Sequence, residues 1–156
     1  MLRRHRAVSM IGVMAMIGVI LAAMQPAGVA APDKEILLES HMSGDQVVQQ
    51  TGGDPDGTGF ATVLVDSKDG VACFDVDVQN VATPITGRIQ SGTAGAIGPP
   101  VVFLFENREP PVRDCVTADR RALRDIGKNP QNYYLNIVND DFAAGAVRGQ
   151  LQFATP

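Results

Sequence analysis

Two runs joined by a turn decide the fold: Phe60-Ala61-Thr62-Val63-Leu64-Val65-Asp66, then Ser67-Lys68-Asp69-Gly70, then Val71-Ala72-Cys73-Phe74-Asp75-Val76-Asp77-Val78. The first run is rich in Val and Thr, and the four residues after it have the polar and glycine content of a hairpin turn. The return run alternates cleanly. Ala72, Phe74, Val76 and Val78 share one face and Cys73, Asp75 and Asp77 the other, because successive strand side chains point to opposite sides. One apolar and one polar face is the pattern of an antiparallel strand packed on a core on one side only. The two aspartates point the same way, as an acid pair would require. They share the polar face, however, and read as solvated carboxylates. The same alternation puts Cys73 on the outer face, so a disulfide from it would tie another segment over the sheet rather than cross the core.

Working outward, similar short runs recur. Ile36-Leu37-Leu38 opens a first strand within a lead-in over 31–43. Thr51 to Gly59 is dense in Gly, Asp and Pro and reads as a loop. Its Asp54, Asp56 and Gly57 lack the later acidic ligands of a calcium loop. Thr86–Ser91 and the apolar run Val101–Phe105 are strands, separated by a Gly/Ala/Pro loop over 92–100. That loop has no phosphate-binding lysine. Asn107 to Asp114 reads as a Pro-rich loop. One helix is predicted near 117–127, with Thr117 as N-cap, Asp119 in the first turn, Ala118, Ala122, Leu123 and Ile126 at helical spacing, and Gly127 and Pro130 as the stop. Tyr133–Asn139 is a further strand. Gly145–Phe153 is the last, with Val147, Leu151 and Phe153 on one face. Six or seven short strands with one helical insertion imply an all-β antiparallel sandwich or barrel.

The chain has 156 residues, enough for one ordinary domain. Its N-terminus is organised differently from the rest. Arg3, Arg4 and Arg6 precede an uncharged run from Ala7 to Met24, and Gly28-Val29-Ala30-Ala31 follows. Basic start, apolar stretch and small residues make a secretory signal peptide over 1–30, cut after Ala30. The competing reading is an uncleaved anchor, which alone would give the protein a membrane partner. Removing the leader takes three of 13 basic residues and none of 17 acidic ones, leaving 10 against 17, a net charge of −7. An acidic domain without a basic patch is a poor nucleic-acid binder, so none is expected. Two histidines and two cysteines in the whole chain exclude a three-histidine metal site and a four-cysteine zinc site. Cys73 and Cys115 both fall in the exported part, where an even pair reads as a disulfide; two free thiols are the alternative.

Several of these segments resemble the CHRD domain, the module first named from chordin. They are Gly57-x-Gly59, Ala72-Cys73-Phe74-Asp75, Gly92-Thr93-Ala94-Gly95-Ala96-Ile97-Gly98-Pro99, Cys115-Val116, Asn129-Pro130, Tyr133-Tyr134-Leu135-Asn136-Ile137 and, most specifically, Gly145-Ala146-Val147-Arg148-Gly149-Gln150-Leu151. The resemblance covers about Ser43 to Phe153, so a CHRD-like domain is placed at 44–153, and it is nearest to bacterial secreted members with paired cysteines. It implies an Ig-like or superoxide-dismutase-like β-sandwich outside the cytoplasm. Members of the family usually carry His-x-His-x-Gly before the Gly/Ala loop and a His after the Tyr-x-Asn-x strand. These three positions are Arg88, Gln90 and Val138 here. A guanidinium that stays protonated, an amide and an isopropyl group are no substitute for three imidazoles. No metal site and no cofactor is therefore expected.

The functional expectation is a non-enzymatic binding or structural module, secreted or associated with the cell envelope, whose partner is an extracytoplasmic protein or an envelope component. The alternative is a metal-dependent, dismutase-like redox enzyme, which the missing histidines disfavour. His41 stands alone in the lead-in and paired cysteines leave no thiolate, so no catalytic residues are assigned. Arg88, Gln90 and Arg148 are a candidate polar patch for an anionic ligand, with salt bridges to nearby aspartates as the ordinary alternative.

Overall fold

The hairpin at 60–78 forms as its alternation requires. In the computed structural model, which describes residues 35–49, 52–83 and 85–155, nine strands and one helix are defined. The strands are β1 (Ile36–Ser43), β2 (Thr58–Asp66), β3 (Val71–Gln79), β4 (Ile85–Ser91), β5 (Pro100–Arg108), β6 (Val112–Thr117), β7 (Tyr133–Val138), β8 (Val147–Gln150) and β9 (Gln152–Phe153). The helix is α1 (Arg120–Lys128), and short 3-10 turns stand at Gly44–Gln46 and Pro130–Asn132. The signal segment at 1–30 lies outside the described residues, as does the lead-in up to residue 34.

All ladders are antiparallel. They join the strands in the order β5-β4-β7-β8-β1-β2-β3-β6, with β9 paired to β1. The architecture is thus mostly β, a single antiparallel sheet curled until it nearly closes, with one helix. The end strands β5 and β6 are consecutive in sequence and joined by a short turn. No ladder pairs them among the described residues. An exposed ion pair, Arg108 to Asp114 at 3.6 Å, spans the seam instead. β1 lies mid-sheet between β8 and β2, so the segment read as a lead-in is integral to the sheet.

Inward-facing residues fill the sheet's interior: Leu38 and Met42 from β1, Val63 and Val65 from β2, Phe74 and Val76 from β3, Ile85 and Ile89 from β4, Leu135 and Ile137 from β7, and Val147 from β8. Burying such side chains contributes roughly 1.5–3 kcal/mol each and is the main term holding the sheet in its curl. The helix buries Leu123 and Ile126 and packs on β2 and β3.

Four local expectations are corrected. The Pro-rich 107–114 segment is not all loop: β5 runs on to Arg108 and β6 begins at Val112. Outward Arg113 and an exposed Asp114, which pairs with inward Phe74 but sits at the sheet's edge, hide the alternation there. The helix starts later than predicted. Asp119, not Thr117, caps it, accepting from the Arg121 and Ala122 amides at 3.0 and 2.9 Å, while Thr117 pairs with Val71 at the end of β6. The last strand breaks at Leu151, whose amide donates to the Tyr133 carbonyl, so Phe153 turns outward to solvent. Finally, the disulfide does lie on the outer face, but it ties no distant segment over the sheet. Cys73 and Cys115 stand directly opposite on adjacent strands β3 and β6, 4.0 Å apart at Cα.

Candidate functional site

Family resemblance is concentrated in the Gly/Ala loop over 92–99 and the Gly145–Leu151 ending, and the fold brings these together. The loop leaves β4 and returns as β5, lying over the outer face of β7 and β8. On that face the cross-strand rows are Gln90–Tyr134–Gln150 and Arg88–Asn136–Arg148. Side chains two apart on a strand share a face, so these six polar or aromatic residues share one outer face, and Gln90, Tyr134, Arg148 and Gln150 lie under the loop.

They hold it by its main chain. Gln90 Nε2 donates to the Gly98 carbonyl at 2.9 Å. Arg148 donates from Nη1 to the Ala96 carbonyl at 2.8 Å and from Nη2 to the Thr93 carbonyl at 3.0 Å. Gln150 Nε2 reaches the Gly92 carbonyl at 2.9 Å and also the Tyr133 carbonyl at 2.6 Å. The Gly98 amide donates to the Tyr134 hydroxyl at 3.3 Å. Beneath them Asn136 Nδ2 donates to Gln90 Oε1 at 2.8 Å and to the Ala144 carbonyl at 3.0 Å, fixing the Gln90 amide that reaches the loop. Buried polar groups are costly unless satisfied in this way.

Arg148 is the centre of the arrangement. It is only 4 % exposed, and its guanidinium carbon sits 3.5 Å from the centroid of the Tyr134 ring, a cation–π contact in a dry setting. Burial pushes its pKa down, with Tyr134 acting in the opposite direction. An arginine stays protonated even so. No carboxylate pairs with it among the described residues; two carbonyl oxygens and a ring face hold the charge. Gly149 beside it is required by close approach. A Cβ there would overlap the His41 carbonyl and Ser40 Oγ of β1. Gly98 is required in the same way by the Ser91 carbonyl. The Arg-Gly-Gln ending is therefore a loop anchor, flanked by the glycine that lets β8 dock on β1.

The geometry places the three residues of the expected polar patch in different settings. Gln90 and Arg148 do come together, but both are buried and turned to main-chain carbonyls rather than to an open ligand surface. Arg88 stands apart from them: half-buried, with Nε buried and unpartnered. Among the described residues no salt bridge joins Arg88 or Arg148 to an aspartate. Ion pairs join Arg108 to Asp114 and Arg113 to Asp75 instead, the latter at 2.7 Å on the β3–β6 face. Asp75 thus has an arginine partner that its sequence pattern does not announce, and Asp77 remains exposed. Asn136, Tyr134 and Gln150 were missed as members of the site. Polar residues at alternate, outward positions of a strand were the available signal, but their acceptors are carbonyls of a distant loop.

The three family histidine positions fall on one outward face, Arg88 opposite Asn136, Gln90 opposite Tyr134, and Val138 opposite Thr86. The donor set there is a guanidinium, an amide already bonded and an aliphatic group, which fits no metal. Among the described residues no three His, Cys, Asp or Glu side chains are grouped to hold one. His41, the histidine of the described residues, is exposed and its ring lies 4.9 Å from that of Phe60. Both cysteines are in the disulfide.

Two depressions adjoin the anchored loop. A cavity of about 40 Å³ is lined by Val47, Val48, Gln90, Ile97, Tyr134, Asn136 and Arg148, among others, and has room for only a few water molecules. A more open groove of about 210 Å³ runs between the loop and the 3-10 turn at 44–46, lined by Asp45, Gln46, Val48, Ala94, Gly95, Arg148 and Gln150. Both are smaller than ordinary small-molecule pockets of about 300–1,000 Å³. The loop surface itself carries Ile97, 62 % exposed, with Ala94 and Gly95 beside it in the sequence.

The CHRD domain family matches the chain over residues 38–151. This protein belongs to the CHRD domain family. The match begins at Leu38 within β1 and ends at Leu151, so it covers most of β1 and every later strand through β8. Neither a curated protein nor a solved structure matches the chain. The anchored loop of this CHRD domain is built from the segments most characteristic of the resemblance.

Proposed function

We propose that this chain is a secreted, non-enzymatic CHRD module that binds a protein or envelope component outside the cytoplasm through its anchored loop at 92–99. One observation carries the reading: Gln90, Tyr134, Arg148 and Gln150 all bond main-chain atoms of the loop, which fixes it in place. A loop fixed in advance loses little conformational entropy when a partner docks, which is the value of holding it. Ile97 at its surface is a large apolar side chain left in solvent, the kind of residue that anchors an interface. Export is supported by family membership, by the Cys73–Cys115 disulfide and by the leader-like sequence at 1–30. Within the closed-sheet class, the fold is read as the Ig-like or superoxide-dismutase-like sandwich that the family resemblance implies.

The test is saturable binding of labelled protein to the surface of the producing cells. Unlabelled protein should compete, and Ile97→Asp should lose binding while keeping its far-UV circular dichroism. Binding that survives Ile97→Asp unchanged contradicts the loop as the contact. Stoichiometric copper or zinc in the purified protein contradicts the non-enzymatic reading in favour of a metal-dependent one.

A further inference from the structure

Among the described residues Arg88 is a half-buried cation with no ion-pair or hydrogen-bond partner. It sits in mid-β4, opposite Asn136 on β7 and Phe103 on β5. Its Nε is buried and bonds nothing, and no ion pair or hydrogen bond engages its guanidinium among the described residues. The other outward positions of β4, β7 and β8 are Thr86, Gln90, Tyr134, Asn136, Val138, Arg148 and Gln150, none of them Asp or Glu, while on the neighbouring end strand β5 Glu106 is exposed beside Thr86 and forms no ion pair with Arg88 among the described residues. In the same cross-strand row, two strands away, Arg148 buries a second positive charge that no carboxylate offsets. Asp45 lines the open groove together with Arg148, and its side chain already accepts from Ser43.

The second feature is the neighbour. Phe103 is 58 % exposed on β5, an end strand of the sheet, directly across from Arg88. A guanidinium presents N–H groups in a planar fork that matches a carboxylate, and a phenyl ring beside it offers an apolar ledge. Ordering a half-buried arginine with no partner is unfavourable in the free protein, and an incoming anion would reverse that.

We propose that Arg88 and Phe103 form a binding site for a carboxylate carried on an apolar group, with the carboxylate on the Arg88 guanidinium and its apolar body on the Phe103 ring. Arg148 backs the site with its charge and makes no direct contact, because both its Nη atoms are committed to loop carbonyls. The site deepens the binding reading without sharing its contact surface, which is Ile97.

Phenylacetate is the probe, followed by two-dimensional amide and arginine side-chain NMR on the purified protein. Saturable shifts are expected at Arg88, Phe103 and Asn136 with phenylacetate. Benzyl alcohol should produce none, and inorganic sulfate should bind more weakly. Arg88→Gln should weaken phenylacetate about tenfold or more, the loss of a charge-assisted contact. Phe103→Ser should weaken it about fivefold, the loss of a partly covered ring. Circular dichroism checks that both variants stay folded. No saturable shift, equal response to benzyl alcohol, equal affinity for sulfate, or full binding by Arg88→Gln each overturns the site. Failure here leaves the Ile97 test on cells to be judged separately, since that contact lies on the loop.

Discussion

The two halves of the outer surface use polar side chains in opposite ways. On the β4–β7–β8 half, Gln90, Asn136, Arg148 and Gln150 are turned to one another or to loop carbonyls, and the first three of them are buried. On the β1–β2–β3–β6 half, Glu39, Asp75, Asp77 and Arg113 stand toward solvent, and the strands are joined by a covalent bond between Cys73 and Cys115. One half is shaped by a hydrogen-bond network and carries a loop. The other is stapled and faces water. The difference teaches that similar amphipathic strand patterns can serve two ends, and that burial of the polar face, rather than its polarity, marks the half that does something more than face water.

That contrast can be broken in several places. The largest expected effect is at the staple. Cys73 and Cys115 are 42 residues apart, and closing such a loop is worth up to about 4 kcal/mol in the chain-entropy model. Replacing both by Ala should lower unfolding free energy by up to that amount in urea denaturation, while leaving the loop at 92–99 in place. Next comes Arg148→Ala, which leaves the Ala96 and Thr93 carbonyls unpaired under the loop and removes the ring contact. A loss of about 3 kcal/mol is expected by the same measurement.

A smaller effect joins the halves. Tyr133, at the start of β7, donates its hydroxyl to Asp125 of α1, which packs on β2 and β3. Burial, then the bond to Asp125, pushes the Tyr133 pKa up to about 12, and the same bond, with Asn129, holds Asp125 below its ordinary value. A phenol whose folded pKa is raised stabilises fully below its unfolded value near 10. That contribution is lost as pH rises through about 12. The Asp125 contribution has the other sign: it is present above the ordinary carboxylate range and lost as pH falls through the lowered folded value. Tyr133→Phe should cost about 1 kcal/mol at neutral pH and flatten the alkaline limb of a stability–pH profile. The smallest effect is expected from Arg113→Ala. Its pair with Asp75 is short but exposed on both sides, so less than about 1 kcal/mol should be lost. A loss as large as that at Arg148 would erase the contrast between the halves.

Much of the fold was legible because it is written in local patterns. The strict alternation of Val71–Val78 and the Ser67–Gly70 turn named a hairpin and its inner face, and both formed. β6 was not legible. Pro110 and Pro111 announce a loop, and an edge strand whose Arg113, Asp114 and Cys115 are all exposed has only one buried position, Val112, to give it away. Thr117 and Asp119 are both good caps; pairing of Thr117 with Val71 decided between them, and that is a tertiary fact. The site was legible only as a set of family residues. What Arg148 and Gln90 do could not be read, because main-chain carbonyls carry no signature in the sequence and Gly92–Pro99 lies about fifty residues from the ending that grips it.

The central claim is that the Arg148 network fixes the loop before any partner arrives. Amide hydrogen exchange at Ala96 and Gly98 tests it most directly, compared between the wild-type protein and Arg148→Ala, with Leu135 in β7 as the core reference. The Ala96 amide bonds the Thr93 carbonyl and the Gly98 amide the Tyr134 hydroxyl. Strong protection of both in the wild type is expected, falling about a hundredfold in the variant, the equivalent of roughly 2.7 kcal/mol of local opening, by more than any change at Leu135. Exchange at unprotected rates in the wild type, or protection unchanged by Arg148→Ala, would contradict the claim.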